Sequence, residues 1–342
     1  MAQIILIHSV FITGFIPISF ILRIDIVNLN NLNIYPAMIV SNSMSTNFLG
    51  IRQTPLSQAR FIFLPLPYDV TTSYIKGTDR GPAALIKASA QVETFDDELQ
   101  QDITNNTSIH TLNAPPINFR ARPEKFIPAL ERYTKSLLKG LSKEQILISL
   151  GGEHSISYPL VKAHQEIRST DISVLHLDAH SDLRDSYNGS KYSHACVMKR
   201  IYDANVRSIV QVGIRNLTAD CAALIHTGIR HPVSGIPKLS THFAHTQPNY
   251  QKLGQAILSN LSQNVYVTID LDVFDPSMMP ALGTPEPGGL NWYQVLDILR
   301  PVFQKKTVVG FDVVELCPIK GNIISDFTAA KLIYRLMGYL NK

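Results

Sequence analysis

The sequence contains few cysteines and no concentrated block of basic residues, and both absences exclude classes of site. Its three cysteines, Cys196, Cys221 and Cys317, lie far apart and form no CxxC pair. This spacing argues against a zinc–thiolate site or a disulfide framework and fits a reducing cytoplasm, where we expect the protein to act. The formal net charge is +4, and the basic residues are scattered along the chain. We therefore expect no nucleic-acid partner.

Internal repeats and low-complexity linkers are also absent from the sequence, which favours one folded domain. The chain has 342 residues, of which 45% are hydrophobic, so it can bury a sizeable core. Apolar β-type runs alternate with stretches of helical periodicity from about residue 60 onward. The six predicted strands are residues 61–66, 145–150, 172–177, 208–212, 265–269 and 307–311. This alternation predicts a parallel sheet covered by helices on both faces, with ligands bound at the carboxyl ends of its strands.

The N-terminus differs from the rest, because residues 4–22 are strongly apolar and carry no charged side chain. The run is long enough for a signal or membrane segment. Against that, no Lys or Arg precedes it, Pro17 interrupts it, and it shows no clear small-residue cleavage site. We interpret residues 1–48 as an extension outside the fold, with Met44 as the working start, and residues 49–342 as the folded domain. A targeting segment and a packed element are the alternatives, and we expect no membrane association.

Two short acidic runs directly follow two of the predicted strands. Asp178, His180 and Asp182 come after residues 172–177, and Asp270 and Asp272 come after residues 265–269. Alternate residues of an extended strand point to the same side, so each run presents its side chains together. Burying four carboxylates without partners costs several kcal/mol or more per ion. Two divalent cations would balance their charge.

A third segment, GGEHS at residues 151–155, follows the predicted strand at 145–150 and brings His154 to the same edge of the sheet. Mixed carboxylate and imidazole ligands without thiolate favour Mn²⁺, with Fe²⁺, Co²⁺, Ni²⁺ or Zn²⁺ as substitutes. A pair of such ions can lower the pKa of a shared water molecule toward neutrality. The alternative is a set of helix caps and turn acids, which the coincidence of three such segments at strand ends disfavours.

Together these segments resemble a known family. GGEHS, DAHSD at 178–182 and DLDVFDP at 270–276 are similar to the motifs of the ureohydrolases, the family of arginase and agmatinase. GTDRGP at 77–82, GTPEPGG at 283–289 and DVVEL at 312–316 extend the resemblance over about residues 60–340. The resemblance implies the family's fold, a three-layer α/β/α sandwich with a mostly parallel sheet. Residues 49–342 would then be the catalytic domain.

The resemblance also implies roles for individual residues. One metal ion would take His154 and Asp182, the other His180 and Asp272, with Asp178 and Asp270 bridging both. His194 resembles the family's catalytic histidine, which we expect, with a pKa near neutrality, to share proton transfer with Asp182. Glu315 resembles the carboxylate that holds the guanidinium group of the substrate.

The implied activity is hydrolysis of a small cationic guanidino substrate, with two Mn²⁺ ions per chain. Agmatine, giving urea and putrescine, is the expected substrate, because residues 185–194 and GTPEPGG look more like agmatinases than arginases. Arginase, guanidinobutyrase or guanidine hydrolase activity remain alternatives within the family. An inactive metal-binding paralogue and a one-metal deacetylase-like hydrolase are alternatives of other classes. By resemblance we expect a homo-oligomer, a trimer or a hexamer.

The sequence is less informative about the tail of the substrate. Asn188, Ser190 and Lys191 could clamp the α-carboxylate of an arginine substrate. Leu282 could narrow the pocket. Glu286 is interpreted as a residue that shapes its loop, with a contact to the substrate as the alternative.

Overall fold

A single parallel sheet of eight strands lies at the centre of the computed structural model, which describes residues 47–227 and 238–341. The strands of the described chain are β1 (Phe61–Leu66), β2 (Phe95–Asp96), β3 (Gln101–Asp102), β4 (Ile109–Thr111), β5 (Ile146–Gly151), β6 (Ile172–Leu177), β7 (Ser208–Ile214), β8 (Leu239–Phe243), β9 (Asn264–Asp270) and β10 (Thr307–Val314). β2 and β3 form a separate antiparallel pair. The other strands run in the spatial order β4-β1-β5-β10-β9-β6-β7-β8.

Helices cover both faces of this sheet. They are α1 (Gly81–Ser89), α2 (Pro123–Gly140), α3 (Ser157–Ile167), α4 (Val197–Asp203), α5 (Ala219–His226), α6 (Tyr250–Ala256), α7 (Trp292–Lys305) and α8 (Ile324–Leu340). One hydrophobic cluster joins one sheet face to α1, α6, α7 and α8, and a second joins the other face to α2, α3, α4 and α5. The predicted three-layer α/β/α sandwich is therefore confirmed.

All six predicted strands are present, and β1 and β6 have the predicted ends. β10 continues to Val314, three residues beyond the predicted end at 311. The sequence did not indicate β4 or β8. β4 is only three residues long, and β8 has the polar sequence LSTHF with every residue partly exposed. Both are edge strands of the sheet. A continuous apolar run is needed only in a strand that is buried on both faces, so these two strands lack that signal.

The strand order places four carboxyl ends side by side at the centre of the sheet. β10 pairs with β5 and β9, and β9 pairs with β6, all in parallel. Ile269 is in register with both Val313 and Leu177, so the residues that follow these strands emerge at one level. The three motif segments and Glu315 follow these four strands, which explains why residues far apart in sequence meet.

Packing of the described chain begins one residue before the predicted boundary at 49. Phe48 is fully buried and stacks on Phe63, with 4.1 Å between the ring centroids. The apolar run at 4–22 and the expected start at Met44 lie outside the described residues. Within the described ranges, every helix is too short or too polar to span a bilayer.

One buried histidine outside the motif segments makes the stability of the fold depend on pH. His164 in α3 is fully buried, and its Nδ1–H donates to Leu160 O over 2.8 Å. Its Nε2 has no hydrogen-bond partner among the described residues, and a Cβ on Gly310 would lie 2.4 Å from it. Protonation would therefore create an unpaired buried cation, and burial lowers the pKa of His164 to about 4.

We expect this histidine to make the fold less stable in acid. The unfolded chain binds the proton below the ordinary pKa of 6.5, whereas the folded chain resists it down to about 4. About 3 kcal/mol of unfolding free energy is thus present above the unfolded pKa and is lost as the pH falls through this window. Urea unfolding of the wild type and His164→Leu, at about pH 7 and about pH 5, checks this. An equal loss of stability in both proteins on acidification would contradict it.

Candidate active site

Backbone amides at the carboxyl ends of β6 and β9 hold the acidic side chains in place. His180 N–H donates to Asp178 Oδ1 over 2.5 Å, and Asp272 N–H donates to Asp270 Oδ1 over 2.9 Å. Ala179 N–H donates across the two segments to Asp272 Oδ1 over 2.8 Å. Each short run therefore curls over its own first aspartate, and the two runs are tied to each other. This arrangement leaves the remaining carboxylate oxygens free to face the histidines.

The first group of ligand atoms surrounds His154. Its Nδ1 lies 3.1 Å from Asp178 Oδ2, 3.1 Å from Asp270 Oδ2 and 3.5 Å from Asp182 Oδ2. The imidazole and the three carboxylates are all buried. Asp182 adopts a left-handed backbone conformation, with φ at 50°, which is strained for an aspartate and turns it back toward the group.

The second group lies on the other side of Asp178. His180 Nδ1 is 2.7 Å from Asp272 Oδ2 and 3.5 Å from Asp178 Oδ1. Asp178 thus offers one oxygen to each group, as a bridging ligand would. The structure brings all six predicted metal ligands together in two adjoining groups.

The donor set fits a pair of divalent cations. His154 Nδ1 is buried with no well-directed hydrogen bond among the described residues, although carboxylate oxygens surround it. Burial and the charge of Asp178 raise the pKa of Asp182 to about 8. Burial and neighbouring aspartates also raise the pKa values of Asp270 and Asp272. Burial therefore disfavours the ionised form of these three carboxylates, and two M²⁺ ions would supply the positive charge that stabilises it.

The sequence motifs did not point to His176, which also contacts this centre. Its Nε2–H donates to Asp178 Oδ2 over 2.7 Å, and its Nδ1 accepts from Gln211 Nε2 over 3.0 Å. The side chain is fully buried in β6. A signal was present, because His176 precedes Asp178 by two positions and so points to the same side of the strand. It orients the shared carboxylate, in the way that outer partners commonly hold a metal ligand.

A second support fixes the other side of the His154 ring. His154 Nε2 lies 2.8 Å from Thr268 Oγ1, which donates to Asp312 Oδ1 over 2.6 Å. Tyr266 OH donates to the other oxygen of Asp312 over 2.8 Å. Because the Thr268 proton goes to Asp312, the threonine oxygen accepts from His154 Nε2–H. This leaves the lone pair of His154 on Nδ1, facing the carboxylates, as a metal ligand requires.

Glu315 lies directly after β10, beside the first group. Its carboxylate Oε1 accepts from His154 N–H over 2.6 Å, and only 7% of the residue is exposed. Its backbone is left-handed, with φ at 66°, another strained conformation at this site. Burial and the charge of Glu153 raise the pKa of Glu315 well above its usual range. A cation bound against this carboxylate would stabilise its ionised form.

His194 begins the turn that leads into α4 and faces the same cavity. Its backbone N–H donates to Thr71 Oγ1 over 3.0 Å. Burial and the charge of His180 lower the pKa of His194 to about 4, below the near-neutral value expected from sequence. The ring is therefore neutral near pH 7, with one nitrogen free to accept a proton.

A cavity of about 210 Å³ connects these groups. Its lining includes five of the six ligands together with His194, Glu315 and Glu286. The Glu286 carboxylate accepts a short hydrogen bond from Asn216 Nδ2 and lies 3.8 Å from His180 Nε2. Glu286 therefore lies in the cavity wall, where a residue that contacts the substrate would have to lie.

The predicted clamp for an α-carboxylate lies elsewhere. Asn188, Ser190 and Lys191 do not belong to the described cavity lining. Ser190 Oγ donates to Glu124, and Lys191 pairs with Asp185. Leu282 packs into the hydrophobic core and is 3% exposed, so it does not narrow the cavity.

Comparison with known proteins identifies the family. A sequence model described as the arginase family matches residues 59–338. The chain belongs to the arginase family. It is 37% identical over 287 residues to the N(1)-aminopropylagmatine ureohydrolase of Synechocystis, covering 84% of this chain and 90% of that one. It is 32% identical to the agmatinase of Pyrococcus horikoshii, covering 83% and 93% of the two chains. The crystal structure of the agmatine ureohydrolase of Thermoplasma volcanium superposes with a TM-score of 0.68 at 28% identity, covering 84% and 92%.

These matches confirm the predicted family, the fold class and the assignment as a ureohydrolase, a metal-dependent enzyme class. The arginase-family match covers both acidic runs, GGEHS, His194 and Glu315. The names of the Synechocystis and Pyrococcus horikoshii relatives refer to different compounds, N(1)-aminopropylagmatine and agmatine respectively.

Proposed function

We propose that this chain hydrolyses the guanidinium group of agmatine to urea and putrescine. The observation that carries the proposal is the position of Glu315, whose buried carboxylate shares one cavity with both groups of metal ligands. A guanidinium is planar and always charged near neutral pH, so it needs a carboxylate to pair with when it leaves water. Glu315 provides that partner directly beside the metal centre.

Two Mn²⁺ ions are the cofactors that we propose for this site. His154, Asp178, Asp182 and Asp270 would hold one ion, and His180, Asp178, Asp270 and Asp272 the other. When bound, such ions make a water molecule a strong nucleophile near neutral pH. The buried walls of the cavity would keep the guanidinium carbon facing that water.

The reaction adds one water molecule and breaks one C–N bond of the guanidinium group. A proton must reach the leaving nitrogen, because otherwise it would have to depart as a strongly basic amide anion. Asp182 and the neutral imidazole of His194 both line the cavity. They are placed to take the proton of the attacking water and pass it to the leaving nitrogen.

The cavity wall supports an amine tail over an amino-acid tail. Glu286 presents a carboxylate to the cavity, which would attract the ammonium group of agmatine and repel an α-carboxylate. Arg184, which also lines the cavity, packs its guanidinium 4.7 Å from the centre of the Tyr187 ring. N(1)-aminopropylagmatine is a second candidate, because the relative of that name is 37% identical and the longer tail adds another cationic group for Glu286.

A urea-release assay on the Mn²⁺-loaded protein tests the proposal. The panel contains agmatine, N(1)-aminopropylagmatine, arginine, guanidinobutyrate and guanidine. We expect the two amine-tailed compounds to exceed arginine in kcat/KM by roughly 10-fold or more, since placing like charges against each other costs several kcal/mol and about 1.4 kcal/mol is already a factor of ten. A higher kcat/KM for arginine than for agmatine would reject agmatine as the substrate. Absence of urea release from every compound of the panel would reject the proposed function. The expected trimer or hexamer stays a prediction.

A further inference from the structure

Glu153 is a buried carboxylate that the proposed reaction does not use. It is fully buried, and its two oxygens accept four hydrogen bonds. Thr71 N–H and Thr72 N–H donate to Oε2 over 2.6 and 3.1 Å. Thr71 Oγ1 and Ser155 Oγ donate to Oε1 over 2.5 Å each. Glu153 therefore anchors the segment that carries Thr71 at the edge of the cavity.

The hydroxyl of Thr71 links this carboxylate to His194. A hydroxyl has one proton to donate and two lone pairs that accept. The Thr71 proton goes to Glu153, and one lone pair accepts from the backbone N–H of His194 over 3.0 Å. The second lies 3.3 Å from His194 Nδ1. Because Thr71 has no second proton, this contact is a hydrogen bond only if Nδ1 carries the hydrogen.

The opposite tautomer fits the surroundings of the ring less well. Ser193 Oγ lies 3.4 Å from Nδ1 and could donate to it if the hydrogen were on Nε2. In that case the nearer Thr71 oxygen would set a lone pair against the lone pair of Nδ1. With the hydrogen on Nδ1, both hydroxyl oxygens can accept from it. Nε2 then keeps its lone pair and lies 3.4 Å from Ser73 Oγ, which lines the cavity.

We propose that Glu153 and Thr71 are positioning residues that set the tautomer of His194, so that Nε2 faces the cavity as the proton-accepting atom. The tautomer itself does not depend on the proposed function. Only the role of Nε2 as a proton acceptor in turnover rests on that function. Thr71 and Glu153 are 82 positions apart, and Thr71 and His194 are 123 apart, so the three residues meet only in the fold.

The tautomer is measured directly by ¹⁵N NMR of the histidine side chains in the full chain, both metal-free and loaded with diamagnetic Zn²⁺. His194→Asn assigns the resonance. We expect a protonated Nδ1 and an unprotonated Nε2 in the wild type. A protonated Nε2 there would overturn the proposal, whether or not the chain releases urea from any compound. The expected tautomer in a chain without ureohydrolase activity would reject the proposed function alone.

Variants of Thr71 test the consequence for turnover in the Mn²⁺-loaded enzyme. Thr71→Val removes the hydroxyl with little change in shape, and Thr71→Ser keeps it. Since general acid–base groups typically contribute 10²–10⁴-fold, we expect Thr71→Val to lower kcat by roughly 10²-fold, with KM and metal content nearly unchanged. Thr71→Ser should restore kcat and the wild-type NMR pattern. A Thr71→Val enzyme with wild-type kcat would overturn the proposal.

Thr72→Val is the matched control. It removes a hydroxyl from the neighbouring residue, which donates to Asp69 and not toward His194. We expect this variant to keep both the tautomer and kcat. A loss of kcat equal to that of Thr71→Val would show that any disturbance of this segment suffices, and would overturn the specific role of Thr71.

Discussion

Replacing Asp178 with asparagine should remove both metal ions and nearly all activity. Asp178 contacts both groups of ligands, with Oδ2 3.1 Å from His154 Nδ1 and Oδ1 3.5 Å from His180 Nδ1. The amide keeps the shape but loses the charge that both groups of ligands share. A metal ion contributes several kcal/mol of transition-state stabilisation, so we expect kcat/KM to fall by roughly 10³-fold or more.

Metal analysis of the purified variant separates this role from a general loss of structure. The wild type should hold about two Mn²⁺ per chain, and Asp178→Asn much less than one. Asp185→Asn is the control, because Asp185 lies close by in sequence on the surface, where it pairs with Arg200 and Lys191. Two tightly bound ions in Asp178→Asn would show that Asp178 is not a bridging ligand.

Replacing Glu315 with glutamine should separate metal binding from turnover. The amide oxygen can still accept from His154 N–H, a bond of 2.6 Å in the wild type, so the metal centre should remain assembled. The guanidinium loses the charged partner that we propose for it. We expect about two metal ions per chain and a fall in kcat/KM of roughly 10²–10³-fold, the usual cost of removing one preorganised electrostatic contact.

Kinetics with agmatine and metal analysis together check this second result. Loss of metal along with activity would mean that Glu315 supports the metal centre instead of the substrate. Unchanged kcat/KM would remove its guanidinium role altogether. Glu144→Gln changes an exposed glutamate just before β5, at the amino ends of the strands and away from the site. It is the matched control and should be silent.

Much of the candidate metal site was predictable, because the proposed ligands are grouped in short segments. Asp178, His180 and Asp182 occupy alternate positions after one strand, and Asp270 and Asp272 do so after another. Alternation decides which side chains share a side, and it operates over two or three residues. The same reasoning could have included His176, two positions before Asp178.

Other parts of the site left no local pattern. Glu286 lines the cavity and accepts a hydrogen bond from Asn216, 70 positions away in the chain. Conversely, the 188–191 segment looked suitable for a substrate clamp, yet Ser190 and Lys191 are engaged with Glu124 and Asp185 on the surface. Residue type alone could not distinguish the two cases, since both depend on which loop folds toward the cavity.

The sequence by itself predicted the parallel sheet and the strand ends where the six proposed metal ligands meet, through periodicity and short motifs. Its resemblance to the ureohydrolases added the proposed roles of Glu315 and His194. Only the tertiary structure decided the strand order that sets four carboxyl ends side by side, and the contacts of Glu153 and Thr71 with His194. The physical reason is range: side-chain alternation is a property of neighbouring residues, whereas the orientation of an imidazole depends on hydrogen bonds from segments that meet only when the whole sheet has formed.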